Sequence, residues 1–317
     1  MPSPASTHAP VKPFLKWAGG KRQLLPQFAA YYPPELAAGE LSRYVEPFLG
    51  GGAVFLDVAQ RFPIQQAFLF DINPELILVY RVVQQAPTAL IDQLQAQAQA
   101  YLARTPAGRA EYFYALRAAY NARRASIDHT RFSDAWIDRA AQMIFLNKTC
   151  FNGLYRVNAR GEFNTPMGRY SRPAILDPEG LTAASELLQR AEVRVGHFRD
   201  AAAVIDDHTF VYFDPPYRPL SATAHFTAYA AQRFDDADQT SLAQFFAHLH
   251  ATRRARLMLS NSDTADGFFQ RLYTGFSIHR VQAHRMINAD SAARGKIAEL
   301  LITNYPRPPL AAPETAP

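Results

Sequence analysis

The sequence is poor in cysteine and has no long apolar run. Its 317 residues include one cysteine, Cys150, which excludes an internal disulfide and a four-cysteine metal site. No stretch approaches the roughly 18 apolar residues that a membrane-spanning helix needs, and the opening MPSPASTHAPVKP lacks the apolar core of a signal peptide. We therefore expect a protein of the reducing cytoplasm that has no membrane contact.

Net positive charge is confined to one segment. The whole chain carries a formal charge of +5, whereas residues 101–172 hold twelve Lys and Arg against five Asp and Glu. That segment therefore carries +7 and the remainder −2. A local excess of this kind suits a polyanion such as nucleic acid. On charge alone, a solvated arginine-rich surface explains the excess equally well.

The pattern of apolar residues predicts an α/β fold. RYVEPFLGGGAVFLDVAQRF and QQAFLFDINPELILVYRVV each have the order strand, loop and helix, which is typical of a mostly parallel sheet covered by helices. Before them, the Gly-Gly turn in FLKWAGGKRQLLPQF predicts a helix from near Lys21 to just before Pro33. Helical spacing then dominates from about Pro87 to Leu146, and strands resume at EVRVGHF.

This interruption predicts the domain organisation. Residues 13–86 and 190–305 are expected to form the sheet domain, with helices on both faces, and residues 87–189 an inserted helical subdomain. The proline-rich ends, 1–12 and 306–317, are expected to be disordered tails.

A glycine loop and an acid follow the first two predicted strands. Gly50 to Gly52 stand between a strand and a helix, where backbone N–H groups can approach a ligand closely. Phe55 replaces the third glycine of the G-x-G-x-x-G/A pattern, which disfavours a pyrophosphate and hence a nicotinamide oxidoreductase. Asp71 comes about 20 residues later, where an acid can bind ribose hydroxyls. A helix N-cap explains Asp71 equally well.

The stretch TFVYFDPPY places an acid, two prolines and a tyrosine directly after a predicted buried strand. Because proline restricts its own φ and the residue before it, the Asp214 carboxylate and the Pro215 carbonyl are expected to point into the crevice at the end of the sheet. Two fixed acceptors suit an amino group on a planar ring, against which Tyr217 can stack. A strand-terminating Pro-Pro turn with an Asx cap is the structural alternative.

Seven segments together resemble the Dam-type (D12 class, α-group) DNA adenine-N6 methyltransferases: FLKWAGGK, YVEPFLGGGAVF, DINPEL, LNKTCFNGLYRVNARGEFNTPMGRY, VYFDPPY, LSNSD and KIAELLITNY. The resemblance covers nearly the whole chain except the tails. It implies a Rossmann-like S-adenosylmethionine-dependent methyltransferase sheet with a helical DNA-recognition insert. It also implies a site-specific DNA-methyltransferase (adenine-specific) that flips adenine out of double-stranded DNA, within GATC.

The resemblance further implies roles for individual residues. The implied methyl transfer requires no metal ion. His197 departs from the acid that many relatives carry before the phenylalanine, which weakens the case for a polar contact from that position to the cofactor's adenine. The implied catalytic residues are Asp214, Pro215 and Tyr217, and the implied S-adenosylmethionine contacts are Trp17, Lys21, Phe48, Gly50, Gly52, Asp71, Phe198 and Asp214. The implied DNA contacts are Phe151 and Leu154 as wedges, Asn152 and Arg156 on bases, Lys16 on an outer G·C pair, and Arg169.

Two other functions stay open at this stage. Cytosine-N4 methylation uses the same exocyclic-amine chemistry, although a serine in place of Asp214 would favour it. A non-catalytic DNA-binding protein would use the basic insert alone and would not bind S-adenosylmethionine. The expected partner is double-stranded DNA, and a cognate restriction endonuclease could share its target sequence without direct contact.

Overall fold

The computed structural model describes residues 10–218, 234–284 and 296–307. Its strands are β1 (Arg43–Glu46), β2 (Gln66–Asp71), β3 (Ala191–Val195), β4 (Thr209–Phe213), β5 (Arg256–Ser262), β6 (Ser277–His284) and β7 (Lys296–Thr303). Its α-helices are α1 (Leu25–Phe28), α2 (Pro34–Ala37), α3 (Ala53–Arg61), α4 (Pro74–Gln85), α5 (Pro87–Leu102), α6 (Pro106–Ala122), α7 (Asp134–Thr149), α8 (Pro178–Leu188), α9 (Asp236–Arg253) and α10 (Phe268–Leu272).

The strands described form one seven-stranded sheet in the order β3-β2-β1-β4-β5-β7-β6. β1 to β5 pair in parallel, whereas β7 runs antiparallel to both β5 and β6. This arrangement confirms the predicted α/β fold with a mostly parallel sheet. The strand order reverses between β1 and β4, and the carboxyl ends of parallel strands at such a reversal border the ligand-binding crevice of open α/β sheets.

The centre of the sheet is buried on both faces. Side chains alternate between the two faces along each strand, and an apolar layer covers each face. All five residues of β4 are buried. Phe210 and Tyr212 pack into one apolar layer, and Val211 and Phe213 pack into the layer on the opposite face. A strand held in this way fixes the position of the residue that follows it, Asp214.

The helical part between the second and third strands is built around α7, which contacts α4, α5 and α6. These helices confirm the helical block predicted from about residue 87 to 146. Arg139 on α7 binds Glu75 at the start of α4 through Nη2 (2.7 Å) and Nε (2.9 Å). Burial acts to raise the pKa of Glu75, but hydrogen bonds from His129 and Arg139 lower it to about 2. The ion pair joins α7 to the helix that follows β2.

The helix predicted from Lys21 to just before Pro33 is wrong as a continuous element. A 3-10 turn at Lys21–Gln23, the short α1 and a second 3-10 turn at Ala29–Tyr31 take its place. Pro26 lies at the start of α1, where its missing N–H does not break a helical hydrogen bond. The helix therefore restarts at this proline instead of running through it.

Candidate active site

The site lies where β1 and β4 end side by side. Arg43 to Val45 on β1 pair with Thr209 to Val211 on β4. The glycine loop follows β1 and Asp214 follows β4, so both stand at the strand-order reversal. The structure therefore brings together two motifs that are about 160 residues apart in the chain.

The glycine loop has a conformation that favours glycine. Gly50 has φ 48° and Gly52 has φ 64°, both in the left-handed region. A Cβ on Gly52 would lie 2.5 Å from the Tyr80 hydroxyl, and a Cβ on Gly50 would lie 3.0 Å from Cδ1 of Trp17. Trp17 thus packs directly against the loop, as its proposed place at the cofactor site requires.

Asp71 is held by main-chain donors. Its carboxylate accepts from Gly50 N at 3.0 Å and from Asn73 N at 2.9 Å. Asn73 is the N-cap of α4 and accepts from the amides of Glu75 and Leu76, so the N-cap interpretation of Asp71 is wrong. Burial raises the pKa of Asp71, and these backbone hydrogen bonds act in the opposite direction.

Aromatic and aliphatic side chains flank the glycine loop. Phe48 stacks on Phe198 with ring centroids 5.6 Å apart, and Phe198 is buried beneath it. His197 caps the 3-10 turn Phe198–Val204, and its backbone N–H donates to Asp200 Oδ2 at 2.8 Å. Ile72, next to Asp71, is exposed. Phe48 and Ile72 therefore offer apolar surface for a planar ring.

The Asp214 carboxylate is fixed from the neighbouring strand. Ser260 on β5 donates to Asp214 Oδ1 at 3.1 Å, and the Tyr212 hydroxyl lies 2.7 Å from Ser260 Oγ. Pro215 is buried, whereas Tyr217 is 37% exposed as a whole residue. The turn thus presents an oriented carboxylate beside an accessible aromatic ring.

Lys21 is bound to this carboxylate. Its ammonium lies 2.7 Å from Asp214 Oδ1 and donates to the Tyr217 hydroxyl at 2.8 Å and to the Gly19 carbonyl at 2.7 Å. Burial raises the pKa of Asp214, whereas Lys21 and Ser260 act to lower it. The resemblance implied a cofactor contact for Lys21, and the structure adds an ion pair with Asp214, the proposed catalytic carboxylate.

Two further groups hold the turn from its far side. Gln239 on α9 donates to the Pro216 carbonyl at 2.9 Å and accepts from Asn261 on β5 at 3.1 Å. Arg218 binds Asp236 through Nε (2.6 Å) and Nη2 (2.8 Å), and it also binds Asp266. Buried amides and a two-pronged ion pair therefore restrict both the middle and the end of the turn.

The predicted DNA-contacting loop begins where α7 ends. Phe151 is 50% exposed as a whole residue, and Asn152 and Gly153 have φ 55° and 66°. Leu154 is half-buried, and its carbonyl accepts from Thr165 at 2.8 Å. The loop therefore presents an accessible aromatic side chain on a tightly turned backbone.

Tyr155 joins that loop to the glycine loop. Its ring stacks on Trp17, with centroids 5.4 Å apart and an interplanar angle of 21°. Asn147 on α7 reinforces the connection, since its Nδ2 donates to the carbonyls of both Lys16 and Gly153. The proposed cofactor and DNA sites are thus in direct contact.

The predicted basic contacts differ in how far they are restrained. Arg156 Nε donates to Asn164 Oδ1 at 2.7 Å, whereas Arg169 is exposed. The Lys16 ammonium lies 4.5 Å from the centre of the Tyr170 ring. The Lys16 stem crosses Gly153 so closely that a Cβ there would lie 2.4 Å from it.

Sequence reasoning assigned no role to several residues that shape the site. Ser260, Tyr212, Gln239 and Asn261 orient the Asp214 turn, and Glu299 on β7 lies 3.9 Å from the Lys21 ammonium. Ser260 could have been found by pairing β4 with β5, since the ends of adjacent parallel strands meet. The position of Glu299 near Lys21 depends on the antiparallel pairing of β7, which no local sequence motif indicates.

The described ranges hold neither a metal-binding cluster nor a membrane-spanning helix. Across residues 10–218, 234–284 and 296–307, no cluster of three His, Cys, Asp or Glu side chains could hold a metal ion. Within the same ranges, no helix combines the length and apolar character needed to cross a membrane.

Comparison with known proteins identifies the family. Residues 17–287 match the D12 class N6 adenine-specific DNA methyltransferases. The chain belongs to this family. It is 45% identical over 296 residues to the type II methyltransferase M.MjaIII of Methanocaldococcus jannaschii, covering 93% of this chain and 99% of that relative. It is 36% identical over 288 residues to the DNA adenine methylase of Serratia marcescens, covering 91% and 96%.

A third relative is also a type II methyltransferase by name. M1.LlaDCHI of Lactococcus lactis subsp. cremoris is 39% identical over 297 residues, covering 93% of this chain and 96% of that protein. Membership of the family makes this protein an adenine-specific DNA methyltransferase, with DNA as its substrate and S-adenosylmethionine as the implied methyl donor.

The residues present fit that donor. The left-handed glycines keep the loop free of side chains beside Trp17, and Phe48 and Ile72 supply apolar surface for a purine ring. Asp71 stands at the end of β2, and Asp214 at the end of β4, so carboxylates border the loop on both sides. The sheet edge thus combines the apolar and acidic groups that a nucleoside with a charged sulfur needs.

Proposed function

We propose that this methyltransferase modifies N6 of adenine within GATC in double-stranded DNA, after flipping the base into the site beside Tyr217. The observation that carries this proposal is the Asp214 turn. Its carboxylate already accepts a hydrogen bond from a nitrogen donor, the Lys21 ammonium, at 2.7 Å. An exocyclic amino group needs the same kind of acceptor in the same place.

The residues of the turn explain how a weak nucleophile would react. The lone pair of adenine N6 is delocalised into the ring, so it must be localised before it can attack. Hydrogen bonds from N6 to Asp214 and to the Pro215 carbonyl favour the pyramidal nitrogen. They would also stabilise the positive charge that develops on N6 as the N–CH3 bond forms and the S–CH3 bond of the donor breaks, after which N6 releases a proton to solvent. S-adenosylmethionine supplies the electrophilic methyl group.

Base flipping is supported by the exposed parts of the site. Extruding a base costs about a few kcal/mol of lost stacking and pairing. Tyr217, a 37% exposed residue, offers a stacking surface to the extruded base, and Phe151, a 50% exposed residue, offers one to the DNA left behind. The proposed DNA surface also includes Lys16, Asn152, Leu154, Arg156 and Arg169.

The target sequence is tested by digestion. Plasmid from a host without adenine methylation is treated with the protein and S-adenosylmethionine, then cut with nucleases that are blocked by, or dependent on, methylation of GATC. Protection from the first and cleavage by the second are expected. Unchanged cutting, with methyl label incorporated elsewhere, would exclude GATC and leave adenine methylation intact.

Two of the similar proteins are named type II methyltransferases. That naming supports a role in which methylation in the cytoplasm protects DNA from a cognate restriction endonuclease. No contact between the two enzymes is needed, because both act on the same DNA sequence. The test is whether expression of the protein protects host DNA from an endonuclease of that specificity.

A further inference from the structure

Glu299 is a buried acid for which the proposed chemistry has no role. It lies on β7, paired with Ser262 of β5 and Val281 of β6, and it is 8% exposed. Among the described residues, its Oε2 atom finds no hydrogen-bond partner. A buried, unpaired carboxylate oxygen is costly, so this atom requires an explanation.

The nearest cation is Lys21, whose ammonium lies 3.9 Å from Glu299 Oε2. An ammonium has three hydrogens to donate. Three acceptors already take them: Gly19 O, the Tyr217 hydroxyl and Asp214 Oδ1. Glu299 is therefore a fourth acceptor for a three-donor group, within reach of a small movement of the lysine side chain.

The Lys21–Asp214 pair raises a problem for catalysis. An ammonium 2.7 Å from Asp214 offsets the negative charge that must stabilise positive charge on the target nitrogen. Because Lys21 is only 3% exposed, water cannot replace Asp214 as its partner, and an uncompensated buried cation would be costly. Lys21 can leave Asp214 only if another acceptor is in place.

We propose that Glu299 is that acceptor: it takes the Lys21 ammonium when the amino group of the flipped adenine binds Asp214. Glu299 is thus a positioning residue, which acts on the base through Lys21. Burial raises the pKa of Glu299, while the charge of the Lys21 ammonium acts in the opposite direction. The inference rests on the proposed function, because it requires the base to bind at Asp214.

A double-mutant cycle tests this role through the single-turnover rate of DNA methylation at saturating S-adenosylmethionine. Glu299→Gln should lower the rate about tenfold or more, since Lys21 then stays on Asp214. In a Lys21→Met background no ammonium has to move, so adding Glu299→Gln should cause no further loss. Binding of S-adenosylmethionine should be unchanged in Glu299→Gln.

Glu192→Gln is the matched control. Glu192 is an exposed acid on β3 that pairs with Arg194 at 2.6 Å. Glu192→Gln should leave the single-turnover rate unchanged in both the wild-type and the Lys21→Met protein. Glu299→Asp keeps the charge with a shorter reach and should recover part of the rate lost in Glu299→Gln. Thermal unfolding of each variant shows that the compared proteins are folded.

Equal losses from Glu299→Gln in both backgrounds would show a merely structural role and overturn the inference. A Glu299→Gln rate within twofold of wild type, or no recovery in Glu299→Asp, would also count against it. The wild-type protein is assayed first. If it does not methylate DNA, the proposed function fails; if it does and the cycle is additive, only the role of Glu299 fails.

Discussion

The Asp214 turn and the 151–156 loop differ in how their functional side chains are held. Asp214 follows a fully buried strand, and Ser260 and Lys21 bind its carboxylate. Phe151, in contrast, is half exposed on a backbone with two successive left-handed residues. The difference indicates that the proposed chemistry would depend on a carboxylate fixed in the protein interior, whereas the proposed DNA recognition would depend on side chains exposed at the surface.

The largest expected effect is at Asp214, in the turn whose functional side chain is fixed in the interior. Asp214→Ala should lower the single-turnover methylation rate at least about 10²- to 10³-fold, because it removes a fixed electrostatic partner of the reacting nitrogen. Methyl label transferred to duplex DNA measures the rate. Asp207→Ala, at an exposed acid that comes before β4, is the control. A near wild-type rate in Asp214→Ala would defeat the assignment of Asp214.

In the 151–156 loop, Arg156→Ala should relax base recognition and leave the chemical step intact. A two-pronged arginine contact to guanine contributes about 1–3 kcal/mol of discrimination. The ratio of kcat/KM for GATC over sites with a changed guanine should therefore fall by about 5- to 150-fold. Arg160→Ala, at an exposed arginine nearby, should leave the ratio unchanged. Equal losses on all sequences would make Arg156 a phosphate contact.

Ser260→Ala sharpens the account of how Asp214 is oriented. Losing a hydrogen bond to a charged group should lower kcat about tenfold. Ser260 acts to lower the pKa of Asp214, so its removal raises that pKa. Because Asp214 must be ionised to accept from the amino group, the acidic limb of the pH–rate profile should move to higher pH.

The control for this prediction is Ser126→Ala, at an exposed serine in the helical region. A Ser260→Ala profile that falls in amplitude without moving along the pH axis would show that Ser260 does not act on the ionisation of Asp214.

The smallest effect is expected at Arg169. Its side chain is exposed, so Arg169→Ala should weaken DNA binding only several-fold, and by the same factor on specific and unrelated sequences. If it contacts one phosphate, the slope of log K against log salt should become less steep by about 0.9. Fluorescence anisotropy across a salt series measures both. Arg253→Ala, at the end of α9, should change neither the DNA affinity nor the salt slope. A loss of affinity in Arg169→Ala that depends on the DNA sequence would contradict a contact to the phosphate backbone.

The sequence predicted the fold and the main parts of the site because the signals are local. Alternating strand and helix patterns gave the parallel sheet, and the glycine loop and Asp214 could be placed because each directly follows a strand. In these cases, a residue's position in its own segment determines its position in space. The packing of Trp17 against the glycine loop is a finding of the structure, and the donor contact that the resemblance implied for Trp17 stays a prediction.

What the sequence did not show depends on contacts between distant segments. The Lys21–Asp214 pair joins residues almost 200 positions apart, and Glu299 comes within 3.9 Å of Lys21 on a strand that runs antiparallel to β5. The interpretation of Asp71 as an N-cap failed because Asn73, two residues later, takes that position. Local propensity cannot choose between two capping residues when the backbone amides of another loop bind one of them.

The most direct test of the central claim is a map of modified bases in DNA at single-nucleotide resolution, after incubation with the pure protein and S-adenosylmethionine. The account predicts N6-methyladenine at the adenine of GATC, and none when Asp214→Ala replaces the wild type. Methylation of cytosine N4, or unchanged adenine methylation by Asp214→Ala, would contradict it.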